Sequence, residues 1–463
     1  MSKDKNNIIG IGCDFQTEPE EDNRKLAIES LSGGEKDRIE WMLRNMTRNK
    51  AYTYKVLDKS DQKDQILNHF KETYLNYRDN WKKQPQKFFK EKFKNDNLTD
   101  HNFKPLCFDI EVAAVCDLAC SFCYRQFIST PDKIMSKELA LQLIDQASEM
   151  NIPSIKFNWR GEPLLNPKLP EIIDHAKKRG ILETIINTNA TKLDERMSEK
   201  IIKSGLDIMI YSFDGGTKET YEKMRPGRFE KNKFENIYAN IKRFSEIRTK
   251  LKSPFPRTKI QMILTDETRK VKEEYFKLFK DIVDDVSVKQ YTERGGNLSD
   301  LNEDFDNQFK SNKTQLQKKF GESAAVMKDS KDNYYISEKR LPCEQPFQRV
   351  LTTYDGKVGM CCYDWGATHT VGYLDKSGIS NGDKEYLKVK KQAEIKKKGF
   401  EMMNLKMPNK YNTPSKEVKN LKEIWYGNEI NKVREAHING KVDKIDICKK
   451  CPFKETYKWV KIS

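Results

Sequence analysis

Hydrophobic residues follow two alternating patterns through the middle of the chain. Short apolar runs rich in β-formers predict strands at 106–113, 154–158, 182–187, 207–213, 258–264 and 283–290. The stretches between them have helical spacing, as where Leu139, Leu143 and Ala147 share one face. Six strand–helix alternations imply parallel βαβ units with right-handed crossovers, and therefore an α/β sheet that closes towards a barrel.

The regions on either side of this pattern differ from it. Residues 1–104 are polar with helical spacing and predict a helical N-terminal extension, which leaves 105–295 for the barrel. Residues 296–340 are polar and weakly periodic, which predicts a linker. Residues 341–463 predict a small α+β C-terminal domain, in which Tyr354-Asp-Gly-Lys is typical of a hairpin turn.

Composition and charge indicate where the protein is located more clearly than which reaction it catalyses. No apolar run reaches the length of about 18 residues needed to cross a membrane, and the N-terminus lacks the apolar core of a signal peptide. We therefore expect a cytoplasmic protein, in which ten cysteines favour metal or redox chemistry over disulfides. The net charge of +16 comes mostly from dispersed lysines without Arg–aromatic interleaving, so it does not indicate a nucleic-acid partner.

Three cysteines are grouped directly after the first predicted strand. Cys116, Cys120 and Cys123 form a C-x3-C-x2-C group. Thiolates this close suit an iron–sulfur cluster, which normally takes four cysteines, so one iron is left open to an outside ligand. A structural zinc is the alternative, although this spacing is not the paired C-x2-C form of zinc knuckles.

This group resembles the hallmark of the radical S-adenosylmethionine (SAM) enzymes, including the aromatic Phe122 before the last cysteine. The resemblance implies a partial (β/α)6 TIM-like barrel and a [4Fe-4S] cluster whose open iron chelates SAM. It also implies reductive cleavage of SAM to a 5′-deoxyadenosyl radical, which abstracts hydrogen from the substrate.

Further segments resemble the SAM-binding parts of the same family. WRGEP resembles its GGEP segment, with Arg160 where the common form has glycine. The SAM-binding residues that the resemblance implies are Phe122, Gly161, Glu162, Pro163, Asn187, Asn189, Ser212, Asp214 and Arg225.

The positions of these residues support the same interpretation independently of the family. They fall at the carboxyl ends of predicted strands, where barrels and open α/β sheets bind their ligands. Glu162 suits an ammonium group and Arg225 suits a carboxylate. Taken singly, Glu162 also fits a turn, Arg225 a solvated surface, and the Asn, Ser and Asp residues helix caps.

A second set of cysteines lies in the C-terminal region, at Cys343, Cys361, Cys362, Cys448 and Cys451. Four thiolates suffice for a closed iron–sulfur cluster or for a structural zinc. The region resembles the SPASM/twitch extension of radical SAM enzymes, whose G-x4-C element matches Gly356 to Cys361 and so favours Cys361 over Cys362. A full SPASM module has seven cysteines and two clusters, whereas only about four of the five cysteines here are suitable ligands; one auxiliary [4Fe-4S] cluster is therefore predicted.

The resemblance implies an oxidoreductase that dehydrogenates or epimerises a small alcohol or sugar derivative, with the auxiliary cluster for electron transfer and flavodoxin or ferredoxin as electron donor. Asp364, beside the auxiliary cysteines, is the candidate proton acceptor. Three alternatives stay open: a peptide-modifying maturase, an RNA-modifying enzyme, and a non-enzymatic iron–sulfur or zinc-stabilised binding module. The five histidines show no ligand spacing and are interpreted as ordinary surface or core residues.

Overall fold

A computed structural model describes most of the barrel and parts of the flanking regions. The described residues are 74–88 except 75 and 82, 101–290 except 121, 124, 126–130, 252 and 254, then 307–321, 326–328, 333–340, 342–381, 414–449, 451 and 457–462. Most of the predicted N-terminal extension lies outside them.

The predicted barrel strands are present and parallel. Six strands follow one another in spatial order: β1 (Cys107–Ile110), β2 (Ser154–Lys156), β3 (Glu183–Thr188), β4 (Ile208–Ser212), β5 (Arg257–Leu264) and β6 (Asp285–Gln290). Each pairs in parallel with the next. The predicted α/β class and partial (β/α)6 barrel are therefore confirmed.

Amphipathic helices cover the outer face of these strands. They are α1 (Lys137–Glu149), α2 (Leu169–Lys178), α3 (Glu195–Lys203), α4 (Lys218–Met224), α5 (Phe234–Lys250), α6 (Asp266–Arg269) and α7 (Lys272–Phe279). Helix α1 begins where the Ser136 side chain accepts a hydrogen bond from the amide of Leu139, as an N-cap residue does. It buries Leu139, Leu143 and Ala147, so the predicted apolar face is the packed one.

The sheet does not end at the barrel. Strand β9 (Arg349–Thr352) pairs in parallel with β1 on the side away from β2, and β10 (Lys357–Gly359) and β11 (Thr370–Tyr373) extend the sheet to nine strands. Gly356 closes the predicted β9–β10 hairpin with a φ of 85°, a conformation that favours glycine. The cysteine-bearing region and the barrel therefore share one hydrogen-bonded sheet.

The segment predicted as a linker at 296–340 contains regular structure in its described parts. It holds α8 (Asn307–Phe320), β7 (Val326–Lys328) and β8 (Tyr334–Arg340), and β8 pairs with both β7 and β12 (Tyr457–Lys461). The segment thus contributes to a sheet instead of only joining two regions. The polar sequence did not predict these strands, because β12, which pairs with β8, lies at the far end of the chain.

Short helices complete the C-terminal region: α9 (Gln345–Gln348), α10 (Leu421–Trp425), α11 (Asn428–Ile438) and α12 (Asp446–Lys449). No helix in the described part of the chain is both long and apolar enough to span a bilayer.

The helical residues among 74–88 lie against the amino-terminal ends of the strands. The hydroxyls of Tyr74 and Tyr77 donate to the carboxylate of Glu183, which begins β3 and is fully buried. This contact places the helix at the edge of the sheet where β3 begins. The predicted site residues lie at the opposite edge, which this helix does not cover.

Candidate functional site

The first three cysteines lie together in the loop after β1. Cys116, Cys120 and Cys123 pack with Leu118, Phe122 and Met224, and Cys120 is buried. Burial, and then the neighbouring Cys120, raise the pKa of the Cys116 thiol above its usual value. Three thiols in such surroundings become thiolates only with a compensating positive charge, which iron supplies.

Arg225 supplies part of that positive charge. Its guanidinium Nη1 donates to the Cys120 sulfur at 3.7 Å, and its Nε donates to the Asp214 carboxylate at 2.6 Å. It also lies over the Phe122 ring, 5.5 Å from the centroid. Burial opposes the charge of Arg225, but Asp214, Cys120 and Tyr221 together outweigh it and raise the pKa of the guanidinium. The side chain predicted to bind a carboxylate is thus held between an acid and a cysteine.

Glu162, in the loop that follows β2, is a buried carboxylate. One oxygen accepts from the Thr188 hydroxyl at 2.7 Å and from the Leu164 amide at 3.1 Å, and the other accepts from the Asn189 amide at 2.7 Å. Within the described part of the chain no basic side chain pairs with it. Burial raises the pKa of Glu162 to about 7. A bound cation would compensate this carboxylate, which is the property needed to hold an ammonium group.

Asn189 connects this carboxylate to the cysteine loop. Its side-chain amide donates to Asp117 at 2.9 Å and lies 3.9 Å from the Cys116 sulfur. Gly161 allows the segment after β2 to pack closely against the backbone that follows β1, since a Cβ there would lie 2.2 Å from the carbonyl oxygen of Ala113. Glycine at this position is therefore a steric requirement of the site.

The other predicted SAM-binding residues lie at the same edge of the sheet. Pro163 begins a short 3-10 turn after β2, Asn187 is near the end of β3, and Ser212 ends β4. Asp214 follows β4 and is fully buried. Its carboxylate accepts hydrogen bonds from the amide of Ile263 and from the guanidinium of Arg225. These residues therefore lie at one edge of the sheet, as expected from their predicted positions at the strand ends.

The second set of cysteines surrounds a cavity. Cys343, Cys361, Cys448 and Cys451 line a space of about 370 Å³, which includes its opening to solvent. Cys362 does not line it; its thiol lies 3.6 Å from the side-chain oxygen of Gln345. Of this pair, Cys361 is the one that borders the cavity, and its role as a ligand stays a prediction.

Cys361 is buried beside the other cysteines of this cavity. Burial, followed by Asp364, Cys451 and Cys343, raises the pKa of the Cys361 thiol. Four thiolates suit either a structural zinc or an iron–sulfur cluster, so the auxiliary cluster stays a prediction.

Comparison with known proteins assigns the barrel region to a family. Residues 110–253 match the model of the Radical SAM superfamily. This part of the chain belongs to the radical SAM superfamily.

Individual relatives match only part of this chain and of themselves. The tungsten-containing aldehyde ferredoxin oxidoreductase cofactor-modifying protein of Pyrococcus furiosus is 29% identical over 106 residues, which are 23% of this chain and 30% of that protein. The Fe-coproporphyrin III synthase of Methanosarcina barkeri is 34% identical over 111 residues, 24% of this chain and 27% of that protein. Matches therefore span less than a third of the length of these two curated relatives.

Similar solved structures extend over more of the chain. The crystal structure of SuiB from Streptococcus suis, bound to its precursor peptide SuiA, covers 79% of this chain and 74% of its own, at 16% identity and a TM-score of 0.46.

Arg160 marks a departure from the radical SAM pattern and has a structural explanation. Its guanidinium forms a two-pronged ion pair with Glu111, at 2.7 and 2.8 Å, and both side chains are buried. It also donates to the Trp365 carbonyl at 3.3 Å and stacks on the Trp159 ring at 4.4 Å. Arg160 thus links the end of β2 to the cysteine-bearing C-terminal region.

Replacing Arg160 with leucine should destabilise the protein by about 3–5 kcal/mol, because it leaves the buried Glu111 carboxylate without its charge partner. The free energy of unfolding in urea measures this. The double variant Arg160→Leu/Glu111→Gln should recover part of the loss, whereas breaking the exposed Lys203–Glu199 pair should change the stability by less than about 1 kcal/mol. Equal effects of the buried and exposed replacements would contradict this account.

Two residues of the second site were missed by the sequence interpretation. The ring of His437 lies between Cys343 and Cys448, accepting from the Cys343 amide at 3.2 Å and reaching the Cys448 sulfur at 3.5 Å. Trp159 packs with Cys343, Cys361 and Cys451 and donates from its indole N–H to the Cys362 carbonyl at 3.0 Å. Helical spacing in α11 predicts that His437 is buried, but nothing in the sequence pairs it with a cysteine far along the chain.

Asp364, the candidate proton acceptor, is fully buried beside Cys361. One of its oxygens accepts from the amide and hydroxyl of Thr368, at 3.0 and 2.7 Å, and the other accepts from the His369 amide at 2.7 Å. These bonds explain Asp364 as a residue that holds the loop after β10. Its role as a proton acceptor stays a prediction.

Proposed function

We propose that this radical SAM protein oxidises a small alcohol or sugar derivative by two electrons, with SAM and one cluster on the barrel and one auxiliary cluster on the C-terminal region. The observation that carries the proposal is the direct contact between the segment that holds Glu162 and the second set of cysteines. In that segment Trp159 packs with Cys343, Cys361 and Cys451 and donates to the Cys362 carbonyl, and Arg160 donates to the Trp365 carbonyl.

When bound, SAM and the barrel cluster supply the radical that removes a hydrogen atom, and the auxiliary cluster accepts the electron that remains after a proton leaves. In this proposal Cys116, Cys120 and Cys123 hold the barrel cluster, and Cys343, Cys361, Cys448 and Cys451 hold the auxiliary one. A single-electron donor such as flavodoxin or ferredoxin starts each cycle.

The side chains of the chain itself position the reactants. Glu162 is anchored by Thr188 and Asn189 through both of its oxygens, so it can present a fixed carboxylate to the N–H groups of the SAM amino group. Arg225 keeps a positive charge against Cys120 and is held there by Asp214. Phe122, Asn187 and Ser212 complete the proposed SAM contacts from their places at the strand ends.

The affinity for SAM should depend on pH through Glu162. With a pKa of about 7, the carboxyl of the free protein is protonated below pH 7, whereas accepting hydrogen bonds from the amino group of SAM requires the ionised form. Affinity should therefore rise with pH up to about 7 and level off above it, falling by up to about tenfold per pH unit below. Calorimetric titration of SAM into reconstituted protein between about pH 5.5 and 8.5 measures this. The Glu162→Gln variant should bind more weakly with no such slope; a parallel slope in both proteins would assign it to another group.

The proposal as a whole is tested by anaerobic reconstitution. Iron and sulfide are counted, the protein is reduced with SAM, and 5′-deoxyadenosine is measured with and without a panel of alcohols and sugar derivatives. About eight irons, SAM cleavage and a substrate oxidised by two electrons are expected. Bound zinc without cleavage would overturn the proposal, and oxidation of a peptide alone would replace its substrate class.

A further inference from the structure

His437 lies beside the proposed auxiliary cluster without being one of its ligands in the proposed function. The ring is buried and borders the cavity lined by Cys343, Cys361, Cys448 and Cys451. Its Nε2 lies 3.5 Å from the Cys448 sulfur, within the range of a hydrogen bond to sulfur.

The other ring nitrogen decides which atom carries the proton. Nδ1 accepts a hydrogen bond from the backbone amide of Cys343 at 3.2 Å, so it offers a lone pair there. A neutral imidazole with an accepting Nδ1 carries its hydrogen on Nε2. The Nε2–H therefore points at the Cys448 sulfur as a donor, and Nε2 has no lone pair with which to bind iron.

The position of the His437 ring is fixed by segments that are far apart in the chain. His437 belongs to α11, while Cys343 precedes α9 and Cys448 lies in α12, so three separate segments hold the ring between the two cysteines. One turn earlier on α11, Arg434 is fully buried and donates to the Pro346 carbonyl at 3.0 Å, and Pro346 borders the same cavity.

Arg434 anchors the same helix. Its guanidinium is fully buried, lies over the Trp425 ring at 4.1 Å, and donates to the Trp425 carbonyl and to the Asn431 side chain, both at 2.7 Å. Together with the bond to the Pro346 carbonyl, these contacts fix α11, and with it His437, against the segment that carries Cys343.

We propose that His437 donates an N–H···S hydrogen bond to the Cys448 thiolate and thereby raises the reduction potential of the auxiliary cluster. This inference rests on the proposed function, in which Cys448 is a ligand of that cluster. A donor on the sulfur stabilises the additional negative charge of the cluster after it gains one electron. His437 is thus a positioning residue that makes the auxiliary cluster a better electron acceptor.

The test measures the midpoint potential of the auxiliary cluster in the reconstituted full chain, by a redox titration followed by electron paramagnetic resonance. Added SAM perturbs only the barrel cluster and so separates the two signals. His437→Leu removes the donor and should lower the potential enough to change the oxidised-to-reduced ratio about tenfold, which is about 59 mV for one electron. His437→Gln, whose amide can still donate, should shift it less. His175→Leu, at a site on α2, is the matched control and should leave it unchanged.

A second measurement needs no variant. With nitrogen-15 incorporated only in histidine, pulsed resonance of the wild-type protein should detect a nitrogen coupled to the reduced auxiliary cluster. An uncoupled histidine, or a Leu variant with full iron content and the wild-type potential, would overturn the inference. A wild-type protein with only about four irons would instead overturn the proposed auxiliary cluster itself.

Discussion

Replacing Cys120 with alanine will abolish the reductive cleavage of SAM. Cys120 is the buried member of the first cysteine group, and it is the thiol that receives Arg225. Two remaining cysteines cannot hold a cluster that already lacks a fourth protein ligand, so the iron content should fall by about four atoms per chain. Liquid chromatography of 5′-deoxyadenosine after reduction with dithionite measures the cleavage.

Cys107→Ala is the matched control for this variant. Cys107 is also buried, but it begins β1 at the opposite end from the cysteine loop, where its thiol lies 3.7 Å from Asp109. Its replacement should leave both the iron content and the cleavage intact. Cleavage at the wild-type rate by the Cys120 variant would rule out the barrel cluster as proposed.

Replacing Cys361 with alanine will separate the two proposed clusters. The variant should lose about four irons and the ability to oxidise substrate, while it still cleaves SAM, because the barrel site keeps all its residues. Iron analysis, 5′-deoxyadenosine and substrate turnover are measured on the same sample. The expected result is a split between cleavage and turnover that a general loss of folding would not produce.

The neighbouring Cys362 gives a stringent control, since it differs from Cys361 by one position. Its thiol is directed to Gln345 and does not border the cavity. Cys362→Ala should therefore keep all the iron and the turnover. The opposite pattern, with Cys362 essential and Cys361 dispensable, would exchange their roles.

The barrel could be predicted well from local patterns. Strand predictions such as 182–187 and 258–264 differ by at most one residue at either end from Glu183–Thr188 and Arg257–Leu264, because apolar runs and helical faces are properties of neighbouring residues. The rule that ligands bind at the carboxyl ends of strands then brought Glu162 and Asn189 together, which the hydrogen bond between them supports.

Contacts between distant segments could not be predicted in this way. The pairing of β9 with β1, the sheet partner of β8 and the place of His437 all depend on residues far apart in the chain. Asp364 is a different case: its side chain accepts hydrogen bonds from the loop that follows it, which the sequence did not indicate, and its role as a proton acceptor stays a prediction.

The parallel pairing of β1 with β9 also constrains how the protein is made. Asp109 in β1 forms its buried ion pair with Arg349 in β9, 240 residues later. At about 5–20 residues per second, a ribosome needs roughly 12–48 s to deliver that partner after β1 has emerged. Until then β1 is an open strand edge, and the cysteine loop that follows it is attached to an incomplete sheet. Strand β1 therefore gains its second sheet neighbour, and Asp109 its buried ion pair, only after the start of the C-terminal region has been synthesised.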